Sequence, residues 1–376
     1  MRSTVSALAS RDGTSLDPTI RTPPTPDLRT MSDQSAATDD GSDTSIESTD
    51  ASTDTDIDAG IGTDTDETTT DDSPHETPLQ PPPLLTGEHL PQLRATLANA
   101  THLLVCLDFD GTLAPIVDEP DAAAPTTANE TAVAGLVDAA PVTTAIVSGR
   151  SLADVRTRID GPRIYAGNHG LELAWNETVA VHPVAHERAA RLETVCEALE
   201  TVLGPIPNVR IENKRLTGTV HVRTVPPAAR PTVRRLTRTV VDRVGGDELE
   251  VSPGKRILEI GPTIDWGKGD AVDVITSTLP DGTVPLYIGD DVTDESAFRA
   301  IDADGISIRV GDEDPSTASF RVRSPAAVAR VLDWLGTAGV ELVGQRTQSL
   351  SGTELWNDDP RVGPIPERWP TPVANE

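Results

Sequence analysis

The sequence predicts an α/β fold, a parallel sheet with helices on both faces, into which a second α/β module is inserted and to which an acidic N-terminal tail is attached. Three observations carry this. Short apolar runs at 103–107, 143–147, 163–166 and 284–288 alternate with stretches of helical spacing, as in a parallel sheet covered on both faces. The texture changes between about 179 and 253, where helical and strand-like segments form a unit of their own. The first quarter of the 376 residues lacks the composition of a packed core.

The tail precedes everything else. Between Arg29 and Arg94 there is no Lys or Arg, and Asp, Glu, Ser, Thr, Gly and Pro dominate in runs such as Thr53-Asp-Thr-Asp-Ile-Asp. Such a segment buries too little apolar surface to offset its ordering entropy, so residues 1–88 are expected to be disordered. Residues 1–90 carry 19 acidic and 4 basic side chains, −15 of the total −29, which leaves −14 on the remainder. The acidity therefore extends into the folded part. A field of that sign disfavours nucleic acid and anionic membranes, and in dilute buffer it opposes compaction until salt screens it. With 3 Lys against 28 Arg and 3% aromatic residues, the composition resembles that of proteins from salt-accumulating halophiles.

Cys106 and Cys196 are isolated, which suggests neither a disulfide nor a zinc site. No apolar run reaches the length of a membrane span, and the N-terminus lacks a signal peptide's hydrophobic stretch, so a soluble cytoplasmic protein is expected. Met31 offers an alternative start. The oligomeric state is left open; a monomer is compatible with everything in the sequence.

Along the chain, 88–98 has helical spacing at Leu90, Leu93 and Leu97 and leads into the buried strand 103–107. Helical stretches at 131–139 and 152–159 separate the runs that end in Ser148-Gly-Arg and Gly167-Asn-His-Gly, and the run 284–288 ends in Gly289-Asp-Asp. All these polar motifs fall at strand carboxyl ends, where open α/β sheets bind ligands. The second module reads as a helix at 187–203, strands at 209–212 and 216–222, and a helix at 228–244. It is flanked by motif-bearing strands of the first unit, so it is an insertion that covers the strand ends as a lid. The expected divisions are 1–88 tail, 89–178 first part of the core, 179–253 cap, 254–345 second part of the core, and 346–376 a polar, Pro-rich C-terminal tail.

The strongest chemical signal is Asp108-Phe-Asp-Gly-Thr-Leu directly after an apolar strand. Two carboxylates two residues apart point the same way on extended backbone, and Gly111 lets the chain turn so that following N–H groups form an anion-binding nest. One carboxylate can attack phosphorus while the other protonates the leaving oxygen and then activates water. Ser148 can hydrogen-bond a phosphoryl oxygen together with the N–H of Gly149, and Arg150 either binds phosphate or forms an ion pair behind the site. Lys268, in Trp266-Gly-Lys-Gly-Asp, opens a helix and brings an ammonium near a phosphate or the attacking carboxylate. Asp290, Asp291 and Asp294 cluster at a strand end, a donor set suited to magnesium, with Asp290 the direct ligand.

These pieces, in this order, resemble the haloacid dehalogenase-like phosphatases over residues 101–335. Asp-Phe-Asp-Gly-Thr-Leu-Ala-Pro-Ile, Gly-Asn-His-Gly-Leu-Glu, Glu-Asn-Lys, Pro-Gly-Lys-Arg-Ile-Leu-Glu-Ile, Trp-Gly-Lys-Gly and Tyr-Ile-Gly-Asp-Asp-Val-Thr-Asp-Glu are similar to the trehalose-6-phosphate phosphatases among them. The resemblance implies a haloacid dehalogenase-like core with an α/β cap, and Asp108 as nucleophile. It implies Asp110 as general acid and base, with Ser148 and Lys268 stabilising charge. Magnesium would be held by Asp108, the Asp110 backbone carbonyl and Asp290, with Asp291 beside them. Gly149, Arg150 and His169 on the core side, and Glu212, Lys214 and Arg223 in the cap, would bind substrate. Lys255 and Glu259 match the family where the cap rejoins the core and are expected to brace the hinge. Asn213 and Val222 depart from the family, which often has Asp and an aromatic there.

The expected activity is hydrolysis of trehalose 6-phosphate through a phospho-aspartate. Rivals within the fold are phosphatases for sucrose 6-phosphate or mannosyl-3-phosphoglycerate, and a phosphomutase. A non-catalytic binding module is the rival outside it, and the presence of Asp108, Asp110, Lys268 and Asp290 together speaks against that reading.

Overall fold

The computed structural model describes residues 79–175 and 178–344, so the expected C-terminal tail and most of the N-terminal tail lie outside the described residues. In order these residues form α1 (Leu90–Asn99), β1 (His102–Leu107), α2 (Thr127–Val137), β2 (Val142–Val147), α3 (Leu152–Arg158), β3 (Ile164–Gly167), β4 (Glu172–Trp175) and β5 (Thr178–Val181). There follow α4 (Pro183–Leu203), β6 (Arg210–Asn213), β7 (Gly218–His221), α5 (Arg230–Val240), β8 (Leu249–Gly254) and β9 (Ile257–Pro262). The last of the described residues form α6 (Lys268–Ser277), β10 (Thr283–Gly289), α7 (Glu295–Ala300), β11 (Ile306–Val310), β12 (Phe320–Val322) and α8 (Pro325–Trp334).

The large sheet has the order β12-β11-β10-β1-β2-β3-β4-β5. From β12 to β3 every pairing is parallel, and β4 and β5 add an antiparallel edge. Every residue of β1 and β2 is buried, because successive side chains point to opposite faces and both faces are covered. Leu103, Val105 and Leu107 pack with Leu93 and Leu97 of α1, Val133 and Leu136 of α2, and Leu332 of α8. Leu104 and Cys106 face the other way, toward Val272 and Ile275 of α6 and Phe298 of α7. Each such Leu removed from water contributes about 1.5–3 kcal/mol.

Residues 79–88, expected in the tail, belong to the fold. Leu84 bridges Arg321 in parallel, Leu85 N donates to Arg321 O at 2.8 Å, and Arg321 N donates to Pro83 O at 2.9 Å. The prolines at 81–83 can accept from β12 but cannot donate, so they cover the sheet edge without creating a new one.

The small sheet is antiparallel, β6-β7-β9-β8, and packs Val220, Leu258 and Ile260 against Leu192, Val195 and Leu199 of α4 and Val233 and Val240 of α5. Its limits differ from the expected 179–253. β5 completes the large sheet, and β9 lies in the middle of the small one, paired with both β7 and β8. The tight β8–β9 connection, with Arg256 at φ 63°, keeps 257–262 with the strand before it. Helix limits also moved: α2 starts earlier because the Thr126 hydroxyl accepts from Asn129 N at 3.2 Å as its N-cap. The helix expected over 228–244 gives way after Val240 to a wider turn at Val241–Gly245.

Candidate active site

Parallel strands in adjacent register bring their following residues to one end of the sheet. Asp108 leaves β1, Ser148 leaves β2, His169 follows β3 and Asp290 leaves β10, while Lys268 opens α6 beside them. Asp108, Ser148, Lys268, Asp290 and Asp294 are all buried. Facing them, the small sheet supplies the other wall of a cleft of about 590 Å³ lined by Asp108, Asp110, Lys268, Glu212, Lys214 and Arg223 among others.

The floor is tightly bonded. Lys268 Nζ donates to Asp108 Oδ1 at 2.8 Å and to Asp294 Oδ1 at 2.7 Å. Tyr287 donates its hydroxyl to the same Asp294 oxygen at 2.7 Å, and Asp291 N donates to Asp294 Oδ2 at 2.8 Å. Asp294 is therefore a fixed brace that holds the lysine against Asp108; the sequence reading placed it in the acidic cluster without seeing this role. Burial alone would lower the Lys268 pKa, but the two carboxylates raise it, so the ammonium stays charged. Burial raises the Asp108 pKa well above the usual range; Lys268 opposes this, and Asp294 and Asp290 add to it. Asp108 and Asp294 share the buried Lys268 ammonium, and Asp290, paired with Lys255, adds a third negative charge beside them. The lysine is charged, and the surplus negative charge falls on the acids.

That surplus is what a divalent cation would neutralise. Carboxylate oxygens of Asp108, Asp290 and Asp294 lie within 4.8 Å of one another. Both Asp294 oxygens are already committed, so Asp108 and Asp290 are the acids with lone pairs to spare, and all-oxygen donors suit magnesium. Gly111, at φ 84°, leaves this space open, since a Cβ there would stand 2.3 Å from the Asp290 carboxyl carbon. The residues fit the ion. Asp291, expected beside the ion, has its carboxylate outside this trio, with Oδ1 3.8 Å from Lys255 Nζ and without a hydrogen bond among the described residues; Asp110 was expected to offer its backbone carbonyl, which the trio of carboxylates does not include.

Asp110 does not point with Asp108. Its oxygens accept from Arg150 Nε at 2.6 Å and Nη2 at 2.7 Å, a bidentate fork. Arg150 also donates to Asp154 and to Pro120 O, and lies over the Phe109 ring at 5.4 Å. Of the two roles open to Arg150, the structure has the ion pair. Ser148 Oγ accepts from Arg150 N at 3.2 Å and lies beneath the cleft surface, while Gly149 lines it.

In the cap, Lys214 reaches across to the core, donating to Gly149 O at 3.0 Å, with Glu259 at 3.4 Å. Thr219 donates to Glu259, and His221 Nε2 lies 2.8 Å from Glu212 Oε2. Burial alone would raise the Glu212 pKa, but the His221 hydrogen bond and Lys214 bring it below its usual value. Among the described residues, the Arg223 side chain makes a single 3.9 Å approach, to exposed Asp118. Lys255, expected at the hinge, donates to Asp290 O at 2.8 Å and Oδ2 at 2.7 Å, joining cap hairpin to acid cluster. Thr219, His221 and Tyr287 were not among the expected site residues, although Tyr287 opens the Tyr-Ile-Gly-Asp-Asp run and His221 lies in Val220-His-Val-Arg.

A parallel sheet that delivers a carboxylate pair from its central strand, beneath an inserted α/β lid, is the arrangement of the haloacid dehalogenase-like proteins. A solved structure of a Candida albicans trehalose-6-phosphate phosphatase C-terminal domain superposes with TM-score 0.60 at 21% identity, covering 69% of this chain and 98% of that one, a likeness that establishes the fold. A trehalose-6-phosphate phosphatase related protein superposes at TM-score 0.56 and 25% identity, covering 63% and 99%. The trehalose-phosphatase family model matches residues 106–326, and the chain belongs to that family. Trehalose-phosphate phosphatases of Mycobacterium ulcerans and Mycobacterium avium are 41% and 38% identical over 249 residues, covering 62% of this chain. The chain spans 63% and 62% of those relatives' lengths.

Proposed function

We propose that the chain is a magnesium-dependent phosphatase that hydrolyses trehalose 6-phosphate. The observation that carries this reading is the Asp108 carboxylate at the cleft floor, held by Lys268 against a fixed Asp294. Family membership and the names of the mycobacterial relatives support the substrate. An Asp108 oxygen attacks phosphorus, and the bond from phosphorus to the sugar oxygen breaks as Asp110 gives that oxygen a proton. Asp110 then takes a proton from the water that attacks the phospho-aspartate, whose P–O bond to Asp108 breaks and frees orthophosphate. Magnesium held by Asp108, Asp290 and the Asp110 carbonyl would neutralise charge on the phosphoryl oxygens. Lys268, bonded to Asp108, would meet the same charge.

Asp110 has both oxygens on Arg150, so its side chain must leave that fork to reach the sugar oxygen. Glu212, Lys214 and Arg223 face the floor from the lid and would take the sugar hydroxyls, closing the site to water. Among the described residues no helix is long and apolar enough to cross a membrane, and the acid surplus of the chain suits a salt-rich cytoplasm. Phosphate release is the direct test. Purified protein with magnesium should release orthophosphate from trehalose 6-phosphate in preference to sucrose 6-phosphate and mannosyl-3-phosphoglycerate, and better in concentrated KCl. Preference for another ester overturns the substrate, and no release from any overturns the reaction.

A further inference from the structure

His169 lies at the cleft floor, yet the chemistry above does not employ it. It and Asn168 follow β3 with left-handed backbone, φ 57° and 49°, a strained conformation costing a non-glycine residue on the order of 1 kcal/mol. Asn168 is compensated: its Nδ2 donates to Glu172 Oε2 at 2.9 Å and Lys214 O at 3.2 Å, and its Oδ1 accepts from Thr217 at 2.6 Å. His169 is not. The residue is partly exposed, but both its ring nitrogens are shielded from solvent, and neither has a hydrogen-bond partner among the described residues. A shielded polar group left unmatched costs about 1–3 kcal/mol.

The chain makes room for this ring. A Cβ at position 149 would stand 2.5 Å from His169 Cε1 and 2.8 Å from Nε2, so the glycine of Ser148-Gly-Arg admits the imidazole of Gly167-Asn-His-Gly. Two motifs on different strands are shaped to each other, and the product is an unmatched imidazole in the wall that also contains Asp108 and Lys268. Burial, then the Lys268 and Lys214 ammoniums, hold its pKa well below the usual value, so the ring offers one N–H and one lone pair. The same two ammoniums repel a cation and favour an anionic oxygen.

We propose that His169 contacts substrate directly, donating a ring N–H to a phosphoryl oxygen of the bound monoester, and that Gly149 is glycine to admit it. This rests on the phosphomonoesterase reading and adds a phosphate contact to it. The test compares wild type, His169→Ala, His169→Asn and Gly149→Ala, each with magnesium. The readouts are orthophosphate affinity by calorimetry, kcat/KM on p-nitrophenyl phosphate and on trehalose 6-phosphate, and melting temperature. Losing a hydrogen bond to a charged group should weaken orthophosphate binding about 10- to 100-fold in His169→Ala. It should lower both monoesters by a common factor. His169→Asn keeps an N–H donor and tolerates the left-handed backbone, so it should recover part of the loss. Gly149→Ala displaces the ring and should imitate His169→Ala. Unchanged orthophosphate affinity in the folded variants overturns the proposal, whether the loss then falls on the sugar ester alone or on melting temperature alone. A wild type that binds orthophosphate and cleaves p-nitrophenyl phosphate but ignores trehalose 6-phosphate would overturn the substrate reading and leave the His169 contact standing.

Discussion

The floor of the cleft and its lid are built on opposite plans. On the floor, Asp108, Lys268 and Asp294 are buried and bonded at 2.7–2.8 Å, with Tyr287 and a backbone N–H completing the set. In the lid, His221, Glu212 and Arg223 are partly exposed; among the described residues His221 and Glu212 pair with each other, and Arg223 approaches Asp118 at 3.9 Å. Transition-state charge is stabilised best by groups already in place when it develops, whereas a lid must break and remake its contacts at each turnover. The floor should therefore govern the rate for every phosphate ester, and the lid the affinity for a particular sugar.

Asp108→Asn is the severest challenge to that division. It removes the nucleophile, and turnover should fall on the order of 10⁵- to 10⁶-fold for sugar and aryl phosphates alike. Beryllium fluoride with magnesium should bind the wild type and not this variant; near-normal turnover would end the nucleophile assignment. Asp110→Asn keeps an attacking group and removes the proton carrier, so the loss should be about 10²- to 10⁴-fold. It should be smaller on p-nitrophenyl phosphate, whose leaving group needs no proton. An equal loss on both esters would show that Asp110 acts by position and charge instead.

Below these in size come two effects of roughly tenfold. Glu212→Gln should raise KM for trehalose 6-phosphate by about tenfold, the worth of one charge-assisted hydrogen bond, and leave p-nitrophenyl phosphate unchanged. A matching change in kcat on both esters would dissolve the contrast between floor and lid. Burial pushes the Asp290 pKa up to about 6, against the pull of Lys255. Magnesium needs the ionised acid, so its affinity should decline through pH 6 and approach a tenfold loss per unit below it, read by calorimetry. The linked stability runs the other way. A carboxyl with a raised folded pKa stabilises the metal-free fold when protonated, and this contribution disappears as pH rises from about 4 to about 6. In EDTA the melting temperature should carry that decline, and magnesium should remove it.

The smallest expected effect concerns neither wall. Outside residues 1–90 the chain retains −14, so KCl into the molar range should raise the melting temperature, by roughly 2–4 °C for each kcal/mol of repulsion screened. A flat or falling curve would remove the halophile reading.

The four adjacent strands β10, β1, β2 and β3 were legible because parallel strands buried on both faces are continuous apolar runs, and a motif follows each of them; β4, β5, β11 and β12, which carry no such motif, were not. The lid's limits were only partly legible. β9 falls just beyond the expected cap limit of 253, and only its pairing with β7 and β8 assigns it to the small sheet. The tail was overextended because prolines at 81–83 look like a break in the sequence, whereas they shield β12.

Residue identity and local spacing were enough to establish the chemistry on offer: two acids after a strand, a lysine opening a helix, acids after another strand. They also established an acid-rich chain with few lysines. Folding alone settled how those groups are deployed. It placed Asp110 on Arg150, braced Lys268 with Asp294, brought Lys255 to Asp290 and set His169 against the glycine of another loop. The first three depend on pairs 26 to 40 residues apart, and Lys268 meets Asp108 across 160. Which groups meet at such separations follows from strand order and register, and these are set by burying apolar faces across the whole domain, a sum to which no short stretch of sequence contributes more than a part.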